Sequence, residues 1–174
     1  MPGGDYDESR GGAGLRDTAG RGSPQAGRAL VVGAGVGGLA AAWWLATAGW
    51  AVEVVERAPA ARTGGFVVDL FGAGYATAER MGLAGALRAA AQPVDGFAYV
   101  TEAGRRRSGL PPAAYRRALN GRIVSVLRTD LIDILAAALP PAVRIRYGEA
   151  AVAVTDDGSG VRIQLAGGAR LTGD

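Results

Sequence analysis

The chain has 174 residues, a formal net charge of +3, 29 Gly and neither His nor Cys, and all 19 of its basic residues are Arg. These counts exclude disulfides, thiolate nucleophiles, His-based triads, Schiff-base lysines and the usual His and Cys metal ligands. No catalytic side chain and no metal site is therefore expected, and any chemistry has to come from a borrowed cofactor.

Residues 1–27 hold a single Leu, no Val or Ile, and many Gly, Asp and Arg. Such a segment buries too little apolar surface to offset its ordering entropy, so a disordered Gly-rich tail is expected there. It has no apolar centre for a secretion signal, and no stretch of the chain reaches the ~18 apolar residues of a membrane span. A cytoplasmic protein is expected. Folding is expected over residues 28–174. Residues 29–32 form a short apolar run that suits a strand buried on both faces. Residues 37–48 read as a helix apolar nearly all round, stopped by Gly49, with Trp43 and Trp44 as core. Residues 51–56 read as a second strand, which completes a βαβ unit with a parallel pair.

Beyond it, residues 66–70 form an apolar run, and residues 72–91 read as one or two Ala-rich helices broken near Met81 and Gly82. Phe66, Phe71 and Tyr75 read as core. Residues 97–101 and 105–108 flank Glu102-Ala103-Gly104, a hairpin signal. The basic run Arg105-Arg106-Arg107 is a solvated hairpin edge in this reading, and no nucleic-acid partner is expected. Residues 123–126 read as a strand. Residues 130–139 read as a helix with Thr129 as N-cap, stopped by Pro140. Val143, Ile145 and Tyr147 then alternate with polar residues or Gly, as do Val161, Ile163 and Leu165, and Gly167-Gly168 suggests a two-residue hairpin turn.

The first strand-to-helix turn reads Gly33-Ala34-Gly35-Val36-Gly37-Gly38. In a Gly-rich chain the bare spacing is weak evidence, and its setting between strand and helix strengthens it. Gly33 permits the tight turn, Gly35 lets the backbone approach a pyrophosphate, and Gly38 lets helix and strand pack closely. The helix N-terminus offers amides and a positive dipole end. Glu56 lies 23 residues after Gly33, where a carboxylate reaches a ribose. A carboxylate there suits the ADP part of FAD or NAD better than NADP, and the motif alone leaves FAD and NAD open.

Glu56-Arg57, Arg62-Thr63-Gly64-Gly65, Asp69-Leu70, Met81-Gly82-Leu83 and Arg128-Thr129-Asp130-Leu131 together resemble the class A FAD-dependent monooxygenases. These are the aromatic hydroxylases of the p-hydroxybenzoate hydroxylase type, here with a look of the tetracycline-inactivating branch. The resemblance covers residues 28–174. It implies an α/β fold: a Rossmann-like FAD/NAD(P)-binding βαβ with a parallel sheet plus antiparallel hairpins. It also implies NAD(P)H as co-substrate and hydroxylation of an aromatic or polyketide-like small molecule through a flavin C4a-hydroperoxide. Residue by residue, it puts Gly33, Ala34, Gly35 and Gly38 on the FAD pyrophosphate, Glu56 on the adenosine ribose and Arg57 beside the adenine. It puts Arg62 near the nicotinamide or flavin edge, Asp69 near the flavin, and Arg128 over the ribityl–pyrophosphate. Independently, Arg128 precedes a helix N-terminus, where a cation is easier to understand with an anion between.

The family pattern continues with an Asp-Gly strand and a later Gly-Asp motif. The chain is therefore expected to be an N-terminal portion, incomplete at its C-terminus, that leaves residues 30–32 as an apolar sheet edge and holds FAD weakly or not at all on its own. Two alternatives stand beside this reading. One is the NAD-binding module of a dehydrogenase, which would continue in regular βα units after residue 57. The other is a non-catalytic truncated remnant.

Overall fold

The computed structural model describes residues 26–61, 64–94, 97–111, 113, 114, 117 and 119–174. The expected βαβ unit is present. β1 (Arg28–Val32) leads through α1 (Val36–Thr47) to β2 (Ala51–Glu56), and β1 and β2 pair in parallel with Val31 opposite Val54. Gly49 and Trp50 close α1 by donating to Ala46 O (3.0 Å) and Leu45 O (3.0 Å), the two bonds of a Schellman end. Within the segment expected to be tail, Ala26 N–H donates to Gly49 O and Gly27 O accepts from Ala51 N–H.

The chain then leaves the parallel sheet. β3 (Val67–Phe71) pairs antiparallel with β6 (Ile123–Leu127), and between them lie α2 (Gly72–Arg80), α3 (Ala84–Ala89) and the hairpin β4 (Phe97–Val100) with β5 (Arg106–Leu110). The helix break falls at Met81 and Gly82, as expected, again with a Schellman pair of bonds (Gly82 N–H to Glu79 O, Leu83 N–H to Ala78 O). Among the described residues, the series of regular βα units that a dehydrogenase module would show does not follow β2.

α4 runs Arg128–Ala137, two residues earlier than expected, and Thr129 is not its cap. Leu127 occupies that position with extended backbone and no side-chain bond. The reason is that β6 runs straight into the helix. Arg128 N–H continues the β3–β6 ladder by donating to Phe66 O at 3.0 Å, so a strand satisfies an amide that a cap would otherwise serve.

β7 (Arg144–Tyr147) then joins β2 in parallel, which gives a sheet of order β1-β2-β7. β8 (Ala151–Asp156), β9 (Val161–Leu165) and β10 (Arg170–Gly173) form an antiparallel sheet of order β10-β9-β8. The β9–β10 connection spans four residues rather than two, closed by bonds from Gly168 N–H to Leu165 O and from Leu165 N–H to Ala169 O.

β2 is central and is buried along most of its length. Its alternation sends Val52 and Val54 to one core with Leu39 and Ala42 of α1 and Leu131 and Leu135 of α4. Val55 faces the other way, onto Ile163, Leu165 and Leu171 of the antiparallel sheet. Trp43 and Trp44 meet edge to face at 4.9 Å and pack against the first core half-buried, with the Arg80 guanidinium 4.7 Å from the Trp44 ring centre. Tyr75 is buried as expected, whereas Phe66 and Phe71 are exposed. Among the described residues no helix is long and apolar enough to cross a membrane.

Candidate functional site

The carboxyl ends of β1, β2 and β7 open on one cleft of about 330 Å³. Backbone bonds lock the three ends together. Gly33 N–H donates to Val55 O (2.7 Å), Glu149 N–H to Glu56 O (3.0 Å), and Gly148 N–H to Ala58 O (2.8 Å). The turn after β1 depends on two glycines. Gly33 has φ +102°, a region that side chains rarely adopt. A Cβ at Gly38 would stand 1.9 Å from Gly33 O, so only glycine lets α1 start this close to the strand. The first intrahelical bond runs from Leu39 N–H to Gly35 O at 2.9 Å, which leaves the amides of Val36, Gly37 and Gly38 without an intrahelical acceptor.

Glu56 braces this turn. Its Oε2 accepts from Ala34 N–H at 2.9 Å and its Oε1 from Ala58 N–H at 2.8 Å. The carboxylate thus joins the glycine turn to the segment that leaves β2. Arg57 and Arg128 line the same cleft. Arg128 is the first residue of α4, so its cation sits at the positive end of that helix. Gly65 packs against it, where an added Cβ would come within 3.3 Å of Arg128 Cβ.

Gly33, Ala34, Gly35, Glu56, Arg57 and Arg128 therefore share one cleft, with Gly38 directly behind it. Asp69 lies apart. It stands on β3 opposite Ser125 of β6, whose hydroxyl donates to its Oδ1, and it is not among the residues that line the cleft. Arg62 falls outside the described residues.

Residues 27–172 match the model of a family described as FAD binding domain. The chain belongs to this FAD-binding family. It is 39% identical over 110 residues to the flavin-dependent monooxygenase eupH of Phoma sp, an alignment covering 62% of this chain and 26% of that one. It is 30% identical over 141 residues to the FAD-dependent monooxygenase asL4 of Sarocladium schorii, covering 79% of this chain and 33% of that one. Among solved structures, the tetracycline destructase Tet(51) superposes with a TM-score of 0.67 at 26% identity, covering 83% of this chain and 36% of that one. The resemblance to class A flavin monooxygenases read from the motifs is thus met by sequence and by fold. The chain spans about a third of the length of the curated relatives it matches.

Two charged groups of this FAD-binding fold were not singled out in the sequence. Glu149 lines the cleft two residues beyond β7. Its signal is hidden, because the alternation in residues 143–147 marks a strand without telling that it joins β2 in parallel. Glu53, on the central strand, is only 6% exposed and takes Arg28 Nη2 on Oε2 at 2.7 Å and Arg146 Nε on Oε1. Burial works to raise its pKa, but Arg146 and Arg28 together outweigh burial and hold the carboxyl below its ordinary range. This cluster borders a larger open groove of about 620 Å³ at the amino ends of the strands, lined also by Trp50, Arg144 and Asp174. Among the described residues that line it none stands at a helix N-terminus, and in parallel sheets ligands bind outside the carboxyl ends. The smaller cleft is therefore the candidate site.

Proposed function

We propose that this chain is the FAD-binding portion, over residues 28–174, of a cytoplasmic flavin-dependent monooxygenase. In this reading the whole protein would use NADH or NADPH and O₂ to hydroxylate an aromatic or polyketide-like small molecule, one oxygen atom entering the product and the other leaving as water. One observation supports it above the others: the glycine turn, Glu56, Arg57 and Arg128 converge on one cleft at the carboxyl end of the parallel sheet.

The residues present fit an FAD. Nothing lies within 4 Å of where a Cβ would stand on Gly35, so a phosphate can approach that backbone, and the amides at the start of α1 face the same turn. Gly33, Ala34, Gly35 and Gly38 would form the pyrophosphate cradle. Arg128 would neutralise its charge, and Glu56, already oriented by two amides, would accept a hydrogen bond from the adenosine ribose. Arg57 would lie along the adenine, and Asp69 and Arg62 toward the flavin end. When bound, FAD supplies the redox chemistry for which a chain without His, Cys or Lys has no side chain. The protein's own part is to bind, to orient and to keep water from the reacting end.

Titration of the full chain with FAD, followed by quenching of flavin fluorescence, tests the reading. Weak but saturable binding is expected, because in this reading the chain carries only part of the flavin cage. Glu56→Ala and Arg128→Ala each remove a charge-assisted contact of about 1.5–3 kcal/mol, so each should weaken binding roughly ten- to hundredfold. Equal signals from wild type and both variants would overturn the proposal.

A further inference from the structure

Glu149 carries a carboxylate oxygen that the fold leaves unanswered. Its Oε2 is enclosed and has no hydrogen-bond partner among the described residues. Its Oε1 receives only a long bond, 3.4 Å from Arg146 Nη1. An enclosed acceptor without a donor is costly, and such groups in native folds call for an explanation. The side chain is not sealed off: about a third of it, 34%, is exposed, and it lines the candidate cleft. The last torsion of a Glu is broad and roughly two-fold, so its two oxygens can exchange places without moving the rest of the side chain.

Its place in the sheet says what would meet it there. Neighbouring strands lie about 4.8 Å apart, and the order is β1-β2-β7. The glycine turn follows β1, Glu56 ends β2, and Glu149 follows β7, so Glu149 stands two strands, about 10 Å, from the turn. The ADP part of FAD is laid out in the same sequence of phosphates, ribose and base. With the phosphates on the glycine turn and the ribose at Glu56, the base falls at the end of β7. Adenine presents an exocyclic amine, a donor only, and an ionised carboxylate is an acceptor only.

We propose that Glu149 accepts a hydrogen bond from the exocyclic amine of the adenine of FAD and so selects adenine over bases that carry a carbonyl at that position. This rests on the FAD reading above. Arg146 acts behind it as a positioning residue, because the same guanidinium that donates to Glu149 is anchored on Glu53.

The test uses the full chain and three probes, ADP, inosine diphosphate and 2′-deoxy-ADP, titrated by calorimetry into wild type, Glu149→Gln and Glu149→Ala. Wild type is expected to bind ADP at least tenfold more tightly than inosine diphosphate. Glu149→Ala should bring that ratio close to one. Glu149→Gln, isosteric and able to donate to a carbonyl, should lower the ratio while keeping the thermal midpoint of wild type. An ADP preference unchanged in both variants would overturn the assignment and leave the FAD reading intact. Variants that lose discrimination against 2′-deoxy-ADP instead would move Glu149 to the ribose and overturn it as well. Failure of every protein to bind ADP would overturn both proposals.

Discussion

Two glycines of one turn separate a folding requirement from a binding requirement. At Gly38 an added Cβ meets backbone, Gly33 O at 1.9 Å and Gly33 C at 3.1 Å, and neither can move without shifting β1 against α1. Gly38→Ala should therefore cost about 1–3 kcal/mol, as overpacking does, and weaken nucleotide binding with it. At Gly35 the added Cβ meets nothing within 4 Å, and φ is −83°, which any residue adopts. Gly35→Ala should leave stability within about 1 kcal/mol, the difference between Gly and Ala at an N-cap. Its methyl nevertheless enters the space where a phosphate would approach, so FAD binding should fall at least tenfold. Thermal unfolding and FAD titration of the two variants check this pair of outcomes, and loss of stability at Gly35 would contradict the division. The turn itself was legible in the sequence because the glycine spacing sits between a readable strand and a readable helix. Glu56 was legible as an acceptor, but its two amide bonds to Ala34 and Ala58 were not, because they depend on how the β2 end folds back over the turn.

Glu53 joins three strands that are far apart in sequence: it sits on β2 and takes Arg28 from β1 and Arg146 from β7. The two arginine side chains remain 49% and 37% exposed, so solvent screens much of the attraction. Glu53→Gln should cost only about 1–2 kcal/mol at pH 7, in the range of a hydrogen bond to a charged group. The pH dependence follows from direction. The folded pKa of Glu53 lies below its ordinary 4.5, so the stabilisation is present above that value and is lost as pH falls through the lowered folded pKa. Urea unfolding from pH 7 to pH 3 should therefore show the gap between wild type and Glu53→Gln shrinking below about pH 4.5, and a constant gap would contradict it. The elements themselves were readable where pattern and partner agree, as in the βαβ unit and the helix break at Gly82. The parallel pairing of β7 was not readable. An alternating strand normally signals an antiparallel sheet with one wet face, and here the alternation arises because Arg144 and Arg146 reach the Glu53 end of the sheet. β8 carries no readable signal for a related reason: nearly all of it is exposed, so no buried face marks it.

At the scale of the whole molecule, the described residues bury two cores on opposite faces of β2 and leave large apolar side chains exposed elsewhere. The βαβ unit and the position of the cleft could be read from the first 30 or so residues of the folded part, because a nucleotide turn is local, whereas the FAD-binding family needed the motifs from Arg62 out to Leu131 as well. The surface could not be read that way, because it depends on which strands become edges. β8 is such an edge, and Val152 and Val154 on it are 58% and 61% exposed. An edge strand presents unpaired amides and carbonyls, and exposed valines beside them make it a template for a second strand. Proteins commonly blunt such edges with lysine, and this chain has none. The 174-residue chain should therefore self-associate as its concentration rises. The double variant Val152→Lys, Val154→Lys should remain monomeric over the same range in sedimentation velocity. Its stability should stay within about 0.5 kcal/mol of wild type, because neither valine contributes to a buried core. If both proteins sediment alike at every concentration, the edge of β8 is not the surface that drives association.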